Sequence, residues 1–178
     1  MNRLLFAAAT LMASLSFAQT AHAAECTVAV DDPFALEAAA IEEIYACIKD
    51  EMVAGYAKEG DAVASAYRDW TVSSTRPAVA GAHGNRLLYT FANDIAAEQY
   101  LKYATEGVSM PVGSVLAKES ITISAKKKAA VPGPLFIMTK GEPGSAPETA
   151  DWVYGGIQPN GKPMKFKQSF CHDCHVAW

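Results

Sequence analysis

Five residues near the C-terminal end, Cys171-His172-Asp173-Cys174-His175, set the tightest limit on what this chain can become. Two thiols separated by two residues and followed at once by a histidine form the C-x-x-C-H pattern of covalent haem c attachment. Each thiol can add across a haem vinyl group, and the two-residue gap lets both sulfurs reach vinyls on neighbouring pyrroles. His175 is then carried beneath the iron as axial ligand. The fold must therefore leave space for a haem beside its last few residues.

Other uses of these thiols fit less well. A structural zinc site built on Cys171, Cys174 and His175 needs a fourth well-placed ligand, and His172 lies inside the same tight loop. A thioredoxin-like C-x-x-C follows a strand and opens a helix, yet only three residues follow His175. An ordinary disulfide is the remaining alternative.

The start of the chain reads as an export signal. Arg3 gives a basic beginning, Leu4 to Phe17 is almost uninterrupted apolar or small, and Ala21-His22-Ala23 supplies an A-x-A cleavage site. The apolar run is shorter than the roughly 20 residues a spanning helix needs. Residues 1–23 are thus expected to be removed, leaving 24–178 as a single periplasmic domain with no membrane span. That compartment agrees with the haem motif, because haem c is attached outside the cytoplasm. It also makes a disulfide between Cys26 and Cys47 reasonable, as a staple without chemical role.

Fifteen Lys and Arg against 19 Asp and Glu give a net charge of −4, which speaks against a nucleic-acid partner. The run Lys162, Lys165, Lys167 could meet haem propionates or an acidic redox partner, or be a solvated loop.

Between these ends the pattern mixes helix and strand. Asp32-Pro33 reads as a helix start, and Leu36, Ile41, Ile44, Ile48 and Met52 recur at helical spacing, predicting a helix over about 33–58. A short helix follows from Asp61 to Trp70. Arg86 to Phe91 reads as a strand, and Asn93-Asp94 caps a helix through Tyr103. Pro111-Val112-Gly113 is a turn. Ser114–Ser124, Leu135–Thr139 and Trp152–Ile157 are further strands. The expected class is α+β, an antiparallel sheet with flanking helices packed to one side. Most small c-type cytochromes are helical with an early haem motif, so a late motif after a run of strands narrows the field.

The chain resembles the cytochrome P-460 family, which includes the β-sheet c-prime cytochromes (c-prime-β). The resemblance runs from about Tyr67 to His175. It is carried by Tyr67-Arg68-Asp69-Trp70, Arg86-Leu87-Leu88-Tyr89, Pro111-Val112-Gly113-Ser114-Val115-Leu116-Ala117-Lys118-Glu119, Trp152-Val153-Tyr154 and the terminal haem motif. It implies a mostly antiparallel sheet, usually a homodimer, holding one five-coordinate haem c. In P-460 proper a lysine in the strand after the P-x-G turn is cross-linked to the porphyrin edge, and the matching residue is Lys118. In the c-prime-β branch a bulky apolar residue replaces it, and the protein binds nitric oxide without oxidising hydroxylamine.

Read from the residues alone, Lys118 shares a strand face with Ser114, Ser120 and Thr122, where a lysine is ordinarily solvated. Alternation turns Glu119 the other way. Outside the leader the histidines are His83, His172 and His175. Met138 reads as core, while Met110 and Met164 remain candidate sixth ligands, so an open sixth position is expected. Arg86 matches a family arginine over the haem that could donate to a bound N–O species; its other reading is a surface arginine. A family distal phenylalanine is absent where Ala82-His83-Gly84 stands, so His83 is either a polar distal group or an exposed loop residue. Asp173 is a candidate base, because hydroxylamine oxidation must shed protons, or a solvated carboxylate.

Three functions follow. The resemblance implies a hydroxylamine oxidoreductase, yielding nitrous oxide or nitric oxide and passing electrons to a periplasmic carrier. A nitric-oxide-binding c-prime-β-like protein and a plain electron-transfer cytochrome are the alternatives.

Overall fold

Eleven helices and strands, in a computed structural model describing residues 26–176, realise the α+β class. The expected leader, 1–23, lies outside the described residues. In chain order the elements are α1 (Ala38–Tyr56), α2 (Ala62–Ala66), β1 (Thr71–Val72), β2 (Ala78–Ala80), β3 (Arg86–Ala92), α3 (Asp94–Tyr100), β4 (Val115–Ser124), β5 (Ala129–Pro132), β6 (Leu135–Lys140), β7 (Trp152–Ile157) and α4 (Gln168–His175). The strands form one antiparallel sheet in the order β1-β3-β4-β6-β7, with β2 also on β3 and β5 also on β4.

The first helix starts later than the Asp32-Pro33 cap predicts. Asp32 does accept from the Phe34 amide at 3.0 Å, but it caps only a 3-10 turn over Pro33–Ala35. The chain is extended at Leu36 (φ −77°, ψ 124°), and α1 begins at Ala38. Leu36 thereby packs against the core. The expected Cys26–Cys47 disulfide is formed, with the Cα atoms 5.9 Å apart. It ties the incoming segment to α1, so that segment must double back beside the helix it precedes. Ile41, Ile44, Ile48, Met52 and Tyr56 form the buried stripe of α1, and Gly60 stops the helical run at φ 78°.

Alternation in β4 sorts the sheet into two faces. One carries Ala117 and Ile121, packed with Leu87, Phe91, Leu135 and Ile137 under α1. The other carries Leu116, which packs with Ala92 and Met138 beneath Ala96 of α3. Helices therefore cover both faces, a correction to the expectation of one side. Leu116 and Met138 present apolar surface that α3 removes from water.

A buried carboxylate organises the α1 face. Glu119 is 1% exposed, accepting from Tyr45 Oη at 2.7 Å, Tyr67 Oη at 2.5 Å and Arg68 Nη1 at 2.6 Å. The guanidinium lies over the rings of Tyr45 (5.6 Å) and Phe91 (5.5 Å). A charge this deep is tolerated only when paired and hydrogen-bonded. The Tyr67-Arg68 pair is thus a structural clamp joining α1, the turn after α2, and β4.

The route of the C-terminal segment sets the position of α4. After β7 the chain turns against the end of α1, so close that a Cβ on Gly55 would lie 2.3 Å from the Pro159 carbonyl oxygen. It then returns along β7, where the Met164 amide donates to the Gly156 carbonyl at 2.8 Å. Gln168, the first residue of α4, completes the docking. Its Oε1 accepts from the Tyr154 amide at 2.7 Å and its Nε2 donates to the Tyr154 carbonyl at 2.8 Å. One glutamine thus satisfies both backbone groups of an edge-strand residue, as a neighbouring strand would.

Candidate haem site

Residues at i, i+3 and i+4 share one face of a helix, so α4 presents Cys171, Cys174 and His175 together. Both thiols are free. Cys171 is half-buried, and burial followed by the neighbouring Cys174 pushes its pKa up. His175 is half-buried, and burial with nearby Lys118 and His172 holds its pKa down. The Tyr154 ring lies 5.7 Å from His175 and 6.1 Å from His172, with its hydroxyl 3.2 Å from His172 Nδ1. Tyr154 thus supports α4 through its backbone and its ring together.

Beside α4 lies a cavity of about 910 Å³ between the α3 face of the sheet and the segment after α3, lined by Tyr100, Met110, Leu116, Lys118, Tyr154 and His175 among others. This is near the upper end of small-molecule and cofactor sites, roughly 300–1,000 Å³. Met138 also lines it while packing on Leu116. Met164 is elsewhere, against Gly156. Glu106, which the sequence reading passed over, is a carboxylate on the exposed part of the cavity wall. Its loop position gives no periodic signal that could have singled it out.

Lys118 is not the solvated lysine that its polar strand face predicts. It is half-buried in the cavity wall, directly across the sheet from Thr90 on β3 and Phe136 on β6. No described residue gives it a hydrogen bond or an ion pair, and burial lowers its pKa. Alternation was right about direction, but it could not show that α3 and α4 enclose this face.

Two further candidates lie near Lys118 and His175 without lining the cavity itself. His83, in the 3-10 turn Gly81–His83 before β3, is half-buried rather than an exposed loop residue. Its ring lies 5.1 Å from Phe136 and 6.2 Å from His175. Burial, then Lys118, His175 and Arg86, push its pKa down to about 4, so its imidazole is neutral at physiological pH. Arg86 is also half-buried and is not a free surface arginine. Its Nη1 donates to the His83 carbonyl at 2.6 Å, and its Nε is buried without a partner among the described residues. Phe136, the second residue of β6, was not singled out in the sequence; its pairing with Lys118 is legible only from the register. Asp173, by contrast, is exposed on α4 and makes no hydrogen bond or ion pair to a described residue. The structure does not bring it to the other site residues. Glu119, on the opposite sheet face, is occupied by its own network.

The family model Cytochrome P460 matches residues 64–178. This chain belongs to the cytochrome P-460 family. No curated protein matches it. The matched region begins within α2 and takes in the Tyr67-Arg68 clamp, the whole sheet and α4, whereas α1 and its disulfide lie outside it. Membership of the P-460 family brings with it haem as cofactor, and the residues present fit one. Free thiols and an imidazole share a helix face, and the imidazole, His175, lines a cavity of sufficient volume whose wall also holds the half-buried Lys118.

Proposed function

We propose that this P-460 family protein is an exported mono-haem c oxidoreductase that oxidises hydroxylamine, to nitrous oxide or nitric oxide, and passes the electrons to another periplasmic carrier. In this reading Cys171 and Cys174 hold the haem by thioethers, His175 is its axial ligand, and Lys118 is bonded to the porphyrin edge. The leader is removed after Ala23, and the protein works as a homodimer in the periplasm.

The observation that carries this reading is the state of Lys118. A half-buried amine with no counter-ion among the described residues, its pKa lowered by desolvation, has a larger uncharged fraction than a solvated lysine. The uncharged amine is the form that can bond to carbon. It lines the same cavity as His175. The haem supplies the redox chemistry when bound; the protein supplies position, hydrogen bonds and exclusion of water. Tyr154 and Gln168 fix α4 on the edge of β7. Arg86 holds the His83 turn through its Nη1 and has Nε–H left to donate. Asp173 is exposed on α4, so it would reach a reacting haem only through water or across a subunit interface.

A second reading is nitric oxide binding without turnover, which needs the haem and an open axial position but no bond to Lys118. Mass spectrometry of the haem peptide separates the two. A peptide joining Lys118 to the haem, with a ferrous Soret band shifted strongly to the red and lost in Lys118→Ala, is expected. Hydroxylamine-dependent reduction of an artificial acceptor should accompany it. Haem held only by Cys171 and Cys174, with nitric oxide bound and hydroxylamine inert, would move the protein to the second reading.

A further inference from the structure

The turn between β6 and β7 is strained at two consecutive residues. Ala150 and Asp151 both lie in the left-handed region, at φ 50° and 62°, where a Cβ is crowded and glycine is the usual occupant. Such backbone persists only where its surroundings over-determine it. The Asp151 carboxylate accepts from the Ala146 amide at 3.0 Å, and the Asp151 amide donates to the Ala146 carbonyl at 2.8 Å. The Gly141 amide donates to the Asp151 carbonyl at 2.7 Å. The buried Thr149 hydroxyl donates to the Trp152 carbonyl at 2.6 Å.

What the turn presents is an ammonium group. Its Ala150 carbonyl accepts from Lys140 Nζ at 2.5 Å, and the Trp152 ring centroid lies 5.6 Å from the same nitrogen. Ala150 is exposed, so water would serve its carbonyl as well, and the turn alone does not require the lysine. A lysine carries three donors, and the described residues take one from Lys140. Its side chain is half-buried on the wall of the cavity that Lys118 and His175 also line. Among the described residues of that wall, Glu106 is the carboxylate that stands against the two lysines. The wall is therefore net positive and favours an anion.

We infer that Lys140 is the anion-binding residue of this cavity, and that its ammonium holds a propionate carboxylate of the haem. This rests on the haem reading above and extends it to the part of the cofactor that the C-x-x-C-H motif leaves unassigned. Haem c keeps its two propionates as carboxylates, and a protein that encloses the ring must pair them or leave them in water. Lys118 is allotted to the porphyrin edge and His175 to the iron. Lys140 is then the cation of this wall that still has donors free among the described residues. Its place in the strand suits the task. Phe136, across from Lys118 in the register, and Lys140 are four residues apart on β6, roughly 13 Å of strand. The two lysines thus stand well apart along one wall and can engage different edges of one ring system. Lys162, Lys165 and Lys167, the sequence-level candidates for meeting propionates, are exposed and line no part of this cavity.

The holoprotein, matured with haem c, is compared with Lys140→Met, which keeps the apolar stem without the charge, and with Lys140→Arg, which keeps charge and donors. The midpoint potential of the haem, followed against pH, has a step where a propionate ionises. A cation beside a carboxylate lowers its pKa by about 1–3 units. One step should therefore move up by about 1–3 pH units in Lys140→Met and return toward its wild-type position in Lys140→Arg. A lysine that only caps the turn would change thermal stability and leave the step where it is. A step unmoved in Lys140→Met, with the haem mass increment present on the Cys171–Cys174 peptide, overturns the inference and leaves the haem reading intact. Acetylation of wild type reads the same contact without a substitution. Lys140 should be labelled several-fold more slowly in holoprotein than in the haem-free chain, while Lys165 is labelled equally in both. Equal labelling of Lys140 overturns the inference even where Lys140→Met fails to mature. Absence of the haem mass increment in wild type overturns both readings.

Discussion

Lys118 and Glu119 are neighbours in one strand, carry opposite charges and meet opposite fates. Glu119 points into the α1 face, where two tyrosines and an arginine use its oxygens. Lys118 points into the α3 and α4 face and receives no partner from the described chain. The chain spends three side chains from two helical segments on the first charge and none on the second. A fully compensated buried charge is a feature of the fold. An uncompensated one is held there by something else, and here it stands in the cavity that His175 also lines. The comparison separates framework from site within two consecutive residues.

The largest effect should come from the framework side. Glu119→Ala strands the Arg68 guanidinium and two tyrosine hydroxyls, and removing one partner of a buried pair costs about 3–5 kcal/mol. Thermal unfolding should fall by roughly 6–20 °C for a chain of this size. A loss under about 1 kcal/mol would mean that water replaces the carboxylate, and the clamp would cease to explain the Tyr67-Arg68 motif.

Next comes the junction between framework and site. Gln168→Ala removes both bonds to the Tyr154 backbone, a loss of about 1–3 kcal/mol concentrated in α4. Hydrogen exchange in α4 should quicken while α1 keeps its protection, and haem incorporation should drop. Uniform quickening across the sheet would show that α4 is part of the global fold rather than an element docked on its edge.

How much of this was legible in the sequence follows the same division. Apolar periodicity located α1, β3, β4, β6 and β7, because each buries one regular face. Asn93 announced its helix through a side-chain cap, now seen accepting from the Ala96 amide, whereas the Asp61 cap, accepting from the Ala64 amide, is a finding of the structure. β2 and β5 escaped notice because Ala78–Ala80 and Ala129–Pro132 have small side chains and no alternation; their pairing is decided by β3 and β4. The haem motif was legible because its chemistry needs fixed spacing. Phe136 and His83 were harder, since their meaning depends on which elements cross the sheet. Strand alternation gave the direction of Lys118 and missed its burial, because enclosure is a tertiary property.

The site side should respond in the opposite sense to Glu119→Ala. In haem-free protein, Lys118→Met removes a partly desolvated ammonium and should leave stability unchanged or raise it, within about 1 kcal/mol. Burial lowers the folded pKa of Lys118, so the unfolded chain binds more protons between that value and the unfolded value near 10.4. The penalty is therefore full below the folded pKa and relieved as pH rises through it toward the unfolded one. The stability gap between Lys118→Met and wild type should accordingly be widest near pH 7 and close toward pH 10. A gap that widens with pH, or a clear destabilisation at pH 7, would mean that Lys118 has a partner in the folded state and that the contrast with Glu119 fails.

The smallest effect is expected at Asp173, the charge the haem motif itself supplies. It is exposed on α4, so Asp173→Asn should change stability by less than about 0.5 kcal/mol. If proton transfer belongs to groups on the Lys118 face of the sheet, hydroxylamine-dependent reduction of an acceptor should stay within about twofold of wild type. A general base contributes roughly 10²–10⁴-fold, so the two outcomes are well separated. A hundredfold loss with the haem spectrum unchanged would place this carboxylate at a reacting haem. Because it is apart from the other site residues in its own chain, that haem would have to belong to a second subunit. The division between a structural charge and a functional one would then no longer be drawn within β4 alone, but would extend across a subunit interface.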